Sequence, residues 1–143
     1  MPRPIVINKK RRHKYGVSEV SRRTVDGIVF DSREESKCYT KLKMLVGLDK
    51  ISLQPEFILQ DGFVHEGKKY RPIKYVGDFL LRDDTGGEHV IDVKGVHTPE
   101  FKLKSKMLTY RYAKVIHTFQ KESDLFKFLE SLRGQGKLTL KMM

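Results

Sequence analysis

Four side chains in this 143-residue sequence are of types that do chemistry, at spacings that can bring them together: Glu35, Asp78, Asp92 and Lys94. The last three lie in Tyr75-Val76-Gly77-Asp78-Phe79 and Val90-Ile91-Asp92-Val93-Lys94-Gly95, which is Asp, thirteen intervening residues, then Asp-x-Lys closing an apolar run. Carboxylates in such runs need something positive beside them, because a buried lone charge is costly. The chain holds 29 Lys and Arg against 18 Asp and Glu, a formal net charge of +11. That balance points to a divalent cation between the acids and to a polyanion, DNA or RNA ahead of an anionic membrane, as the partner.

The elements needed to gather these residues can be read locally. Ser32 is a good N-cap, and Glu35 three residues on completes a capping-box pattern. Cys38, Leu42 and Leu45 then recur at helical spacing until Gly47 stops the helix. Glu35 lies on that same stripe, so the metal-ligand and capping readings stand level, and Glu34 takes its place if the register slips by one. Residues 51–59 predict a strand interrupted or bent near Pro55, residues 60–71 an exposed hairpin or loop, and residues 72–82 a second strand. Asp83-Asp84-Thr85-Gly86-Gly87 predicts the turn into a third strand over 88–94. Residues two apart on a strand share a face, so Asp92 and Lys94 project together, and the turn folds Asp78 back beside them. Two carboxylates that close repel, and a cation removes the penalty. Mg²⁺ is the expected ion, since it takes one or two carboxylates plus waters and phosphate, with Mn²⁺ able to substitute. Lys94 would orient the attacking water and stabilise charge on phosphorus, or else merely pair with the aspartates.

The remaining pattern completes one domain. Val25 to Phe30 predicts a short hairpin or an extended entry, with a turn at Asp26-Gly27. Thr98-Pro99-Glu100 starts a helix on which Leu103, Met107 and Tyr110 share a face. Residues 113–118 predict a strand, and Ser123 caps a last helix to about Arg133 with Leu125, Phe126, Leu129 and Leu132 as its core stripe. The expected organisation is a basic flexible arm over 1–23, one domain over 24–133 and a tail over 134–143. Lys9, Lys10, Arg11, Arg12 and Lys14 in the arm, with Arg22 and Arg23, are candidate phosphate contacts. Lys104 and Lys106 are further candidates, on the helix after the lysine motif. The lone Cys38 excludes an intrachain disulfide, and the five histidines lack zinc spacing. Tyr70 and Tyr75 read as packing residues. The N-terminus has no apolar segment of signal-peptide length and no stretch is apolar enough to cross a membrane, so a cytoplasmic site of action is expected.

These residues resemble the PD-(D/E)xK nuclease superfamily, with Gly77-Asp78 in the place of Pro-Asp and Asp92-Val93-Lys94 as the second half. Val25-Asp26-Gly27-Ile28-Val29-Phe30-Asp31-Ser32-Arg33-Glu34-Glu35 and Leu53-Gln54-Pro55-Glu56-Phe57 look like a phage-encoded group similar to Holliday-junction resolvases and transposon end-cleaving endonucleases. The resemblance spans about residues 24–133. It implies an α/β, restriction-endonuclease-like α-β-β-β-α-β core, a mixed central sheet flanked by helices. It also implies metal binding by Glu35, Asp78, Asp92 and the Val93 carbonyl, with Lys94 as the catalytic lysine. The Ser-x-x-Glu pattern of those relatives falls on Ser32 and Glu35. The expected activity is Mg²⁺-dependent DNA cleavage on branched or junction DNA in phage recombination, replication or packaging, by a homodimer if paired cuts need two sites. The competing reading is a non-catalytic DNA-binding protein, or a subunit of a larger DNA-processing complex, that keeps the same fold.

Overall fold

A computed structural model describes residues 5–6 and 19–141 of the chain. Strand β1 (Ile5–Val6) pairs in parallel with β3 (Ile28–Val29), and β3 forms a hairpin with β2 (Thr24–Val25). Asp26 and Gly27 make that turn with φ of 53° and 76°, the left-handed pair that a two-residue hairpin turn requires. Within the stretch expected to be a flexible arm, Ile5–Val6 is thus a strand, and Val20–Arg23 is a turn of 3-10 helix. Helix α1 (Arg33–Leu45) starts as the sequence predicts, with Ser32 Oγ accepting from Glu35 N at 3.1 Å. Gly47, at φ 108°, donates back to Leu42 O at 3.0 Å and turns the chain away.

The central sheet has the order β11-β10-β9-β4, built from β4 (Ile51–Leu53), β9 (Phe79–Arg82), β10 (Glu88–Val93) and β11 (Ile116–Phe119). β4, β9 and β10 pair antiparallel, while β10 and β11 are parallel. A parallel neighbour needs a crossover, which α2 (Pro99–Tyr112) supplies. Among the described residues the fold is therefore mixed α/β, with α3 (Glu122–Gly134) as the third α-helix.

Side chains alternate along β10, and the two cores record it. Ile91 points to one face, where Leu42 of α1 and Leu125 and Leu129 of α3 pack with Phe30, Phe79 and Leu81. Val90 points to the other, against Leu108 of α2, Tyr75 and Ile116. Leu42, Leu125 and Leu129 are fully buried. Each contributes about 1.5–3 kcal/mol by leaving water.

Four expectations change. The strand expected over 72–82 is two strands, β8 (Ile73–Val76) and β9, with a step at Gly77-Asp78. β8 pairs with β5 (Glu56–Gln60), not with β4 or β10, so the chain passes from one ladder to another at that step. Gly77 N bonds Pro55 O at 2.9 Å, and a Cβ on Gly77 would sit 3.2 Å from Val90 Cγ1. The last helix is capped at Lys121, without a side-chain bond, and Ser123 falls inside its first turn. Leu103 and Tyr110 of α2 are exposed, because the helix packs through Phe101 and Leu108 instead. Finally, part of the expected tail is packed: Leu138 is buried, and Lys141 N donates to Leu45 O at 2.7 Å. Among the described residues, no helix is long and apolar enough to cross a membrane.

Candidate active site

The step at Gly77-Asp78 delivers Asp78 to the end of β10. Its backbone is held on both sides: Asp78 N donates to Ile91 O at 3.1 Å, and Gln54 N donates to Asp78 O at 3.0 Å. Its carboxylate accepts from Val93 N at 2.6 Å, so it lies against the backbone between Asp92 and Lys94. Asp92 shares a face with Val90, where β8 lies. There the Tyr75 hydroxyl donates to Asp92 Oδ2 at 2.5 Å, and Lys94 Nζ approaches the same oxygen at 3.3 Å. Burial, and then the charge of Asp92, push the Tyr75 phenol far above its ordinary range, so it stays a donor.

Lys94 is held from a second direction. Thr98 caps α2, its Oγ1 accepting from Phe101 N at 3.1 Å, which sets Phe101 in the first turn. Lys94 Nζ sits 3.8 Å from the centroid of that ring. A cation over an aromatic face gains about 0.5–2 kcal/mol, more as water is excluded. The ammonium is thus fixed between a carboxylate and a ring.

These groups open on a cleft of about 800 Å³, whose walls include Glu35, Asp92, Val93, Lys94, Lys104 and Gln120. Glu35 is 3 % exposed, Asp78 1 % and Asp92 4 %, so all three acids are withdrawn from water, Glu35 and Asp92 in the cleft wall and Asp78 outside its lining, against Val93 N. Glu34 also borders the cleft but turns outward to pair with Lys37 at 3.5 Å, which leaves Glu35 as the buried acid of the two.

Residues 12–128 match the family described as a protein of unknown function (DUF1064). The chain belongs to that family. No curated protein matches it. A solved structure, the crystal structure of SSO0001, is similar at 18 % identity and a TM-score of 0.35, over 71 % of this chain and 57 % of that one. The chain thus spans little more than half the length of that structure.

In this DUF1064 chain the fit of a metal can be judged from the donors. Among the described residues, no group of three or more His, Cys, Asp or Glu side chains converges into a metal cage. One oxygen of Asp92 is held by Tyr75 and Lys94, and one of Asp78 by Val93 N. Buried carboxylates of this kind suit a hard cation that uses one or two of them and fills its shell with water and phosphate. They do not suit a closed site like that of structural zinc.

The candidate phosphate contacts divide. Lys104 lines the cleft and pairs with Glu100 at 3.2 Å, whereas Lys106 lies apart, beside Leu59 and Tyr110. Arg22 is exposed on the 3-10 turn. Arg23 Nη1 donates to Phe30 O at 2.8 Å and ties that turn to the hairpin. Lys9, Lys10, Arg11, Arg12 and Lys14 lie outside the described residues.

Three residues of the site were not singled out from sequence. Tyr75 reads as packing, but the Phe57–Tyr75 pairing of β5 with β8 turns it under Asp92. Phe101 carries a helical apolar signal only. Gln120, just beyond β11, lies against Gly95, where a Cβ would meet its Nε2 at 3.1 Å. A single glutamine after a strand carries no spacing signal.

Proposed function

We propose that the protein is a Mg²⁺-dependent DNA endonuclease, and that its cleft binds one phosphodiester for hydrolysis. The observation that carries this reading is the Asp92–Lys94 pair at the end of β10, fixed by Tyr75 and Phe101 at a cleft that Glu35 also borders. The order of elements around the central sheet, α1-β4-β9-β10-α2-β11, supports a restriction-endonuclease-like core.

Asp92 and Asp78 would hold the cation, with Glu35 completing the acidic wall and the Val93 carbonyl as a further oxygen donor. A bound Mg²⁺ would supply Lewis acidity and a more acidic water. Lys94 faces the cleft with its cation held in place, so it orients the water and stabilises charge developing on phosphorus. Lys104 binds a neighbouring phosphate. Hydrolysis adds water across the P–O3′ bond and leaves a 5′-phosphate and a 3′-hydroxyl. Branched or junction DNA of phage recombination, replication or packaging is the proposed substrate. A homodimer is the proposed active form, since paired cuts need two sites.

Supercoiled plasmid, linear duplex, flaps and four-way junctions incubated with the protein in Mg²⁺ or Mn²⁺ test this. Cleavage of at least one, strongest on branched DNA and lost in Asp92→Ala and Lys94→Ala, is expected. Intact DNA throughout, or undiminished cutting by both variants, overturns the reading and favours a DNA-binding protein without catalysis.

A further inference from the structure

Between β5 and β8 the chain runs out into a second hairpin, β6 (Phe63–His65) and β7 (Lys68–Tyr70). Glu66 and Gly67 turn it with φ of 49° and 79°. β5 and β8 pair below it, with a register irregularity between Ile58 and Gln60, and a Cβ on Gly62 would meet Tyr70 O at 3.0 Å, so residues 56–76 form a two-stranded ribbon of two ladders in succession. All residues from 61 to 72 are exposed. An isolated two-stranded ribbon is marginal in water.

This ribbon tip carries two exposed aromatic rings among its polar residues. Phe63 and Tyr70 face each other across the strands, stacked with centroids 4.7 Å apart and planes 8° from parallel. Lys68 Nζ lies over the Tyr70 ring at 5.1 Å. Phe63 is 46 % exposed, and among the described residues Tyr70 is its only ring partner. The charge around the pair is positive. Asp61 is answered by Arg111 at 3.3 Å, which leaves Lys68, Lys69 and Arg71 against Glu66 alone. Exposed rings with flanking cations are what single-stranded nucleic acid recognises: bases stack on the rings, and phosphates meet the cations. The base of the ribbon is at the cleft, which Lys74 and Tyr75 help to line. From Tyr70 to Tyr75 is at most about 16 Å along an extended strand, on the order of five nucleotides.

We propose that the ribbon tip is a binding site for unpaired DNA, with a base stacked on Phe63 over Tyr70 and with Lys68, Lys69 and Arg71 on the backbone. As the account of how branched DNA is chosen, this rests on the endonuclease reading; as a binding site it stands apart from it. The tip selects DNA with unpaired bases within a few nucleotides of the cleft, and intact duplex lacks the feature it grips.

Binding of labelled DNA by the full-length chain, in EDTA and at one fixed salt concentration, separates the two readings, because no cleavage is needed. Phe63→Ala is expected to weaken binding to forked and gapped DNA about 10-fold or more, the loss of one base–ring stack, and to change blunt duplex binding less than about twofold. Phe63→Tyr keeps a ring and should restore binding; matching melting temperatures show that both variants fold. Replacing Lys68, Lys69 and Arg71 by alanine should weaken every DNA and flatten the salt dependence. Equal losses on fork and duplex for Phe63→Ala, no loss at all, or a change only in self-association would overturn the proposal. Normal fork preference in a protein that never cuts would leave it standing while the endonuclease reading fails.

Discussion

The two ends of the β9–β10 hairpin each bury an aspartate beside a basic side chain, yet the two are built differently. At the turn, Asp83 Oδ1 accepts from Thr85 N at 2.9 Å, Thr85 Oγ1 at 2.6 Å and Gly87 N at 2.9 Å, and Oδ2 meets His89 Nε2 at 2.8 Å. Burial raises its pKa, but the bonds from Thr85, His89 and the Gly87 backbone outweigh that and hold it well below the carboxylate range. At the other end, Asp92 meets a phenol and an ammonium and stands at the wall of a cleft. A ring of groups close in sequence, two of them backbone amides, makes a finished turn. A pair of long side chains brought from β8 and from the strand's own end makes a carboxylate that is aimed. Burial alone does not separate them; the origin of the donors does.

The largest expected contrast is in catalysis. Asp92→Ala and Lys94→Ala should each lower cleavage by about 10²–10⁴-fold at unchanged fold, the range for losing a group that acts in the transition state. Asp83→Ala should leave the rate per folded molecule within a few-fold. Equal loss of activity in Asp83→Ala, measured on protein shown to be folded, would erase the distinction.

Stability should show the reverse order. Asp83→Ala leaves two backbone amides and a histidine without their acceptor, and should cost about 2–4 kcal/mol in urea unfolding. The depressed pKa also sets a sign. Asp83 stabilises the fold fully above its unfolded value of 3.8, and that contribution fades as pH falls toward the folded value. Asp83→Asn should therefore lose stability at neutral pH and flatten the acid limb of the pH–stability profile.

A smaller effect sharpens the other end. Tyr75→Phe removes one donor from Asp92 and keeps the ring in the core, so it should lower kcat by about 10-fold with about 1 kcal/mol lost in stability. A kcat equal to wild type would reduce Tyr75 to packing. Of similar size is the response to metal. Mg²⁺ at ten times its Kd should stabilise the wild type by about 1.4 kcal/mol, visible as a rise in Tm. Asp92→Ala should lose that rise and Asp83→Ala should keep it.

How much of this could be read from residue order follows from how far each contact reaches. Asp92 and Lys94 share a face by the two-residue period of a strand, and Ser32 fixes Glu35 within one turn of helix, so both were legible. The break at Gly77 was not, since an apolar run over 72–82 does not say that its halves join different ladders. The Tyr75–Asp92 bond spans seventeen residues and depends on β8 lying across the end of β10, which no local period encodes. The α2 stripe of Leu103, Met107 and Tyr110 keeps helical spacing, but only Met107 packs against the core. The surface beneath the helix takes Phe101 and Leu108, and Leu103 and Tyr110 stay exposed.

The step at Gly77-Asp78 has a mechanical meaning. It joins the ribbon, through Gly77, to an acid of the site, Asp78, which is pinned by Ile91 O and Gln54 N. The ribbon is a lever whose fulcrum is one glycine. A load at its tip would reach Asp78 through the one intervening residue, Gly77, so the proposed grip on a strand and the alignment of the acid would be one displacement.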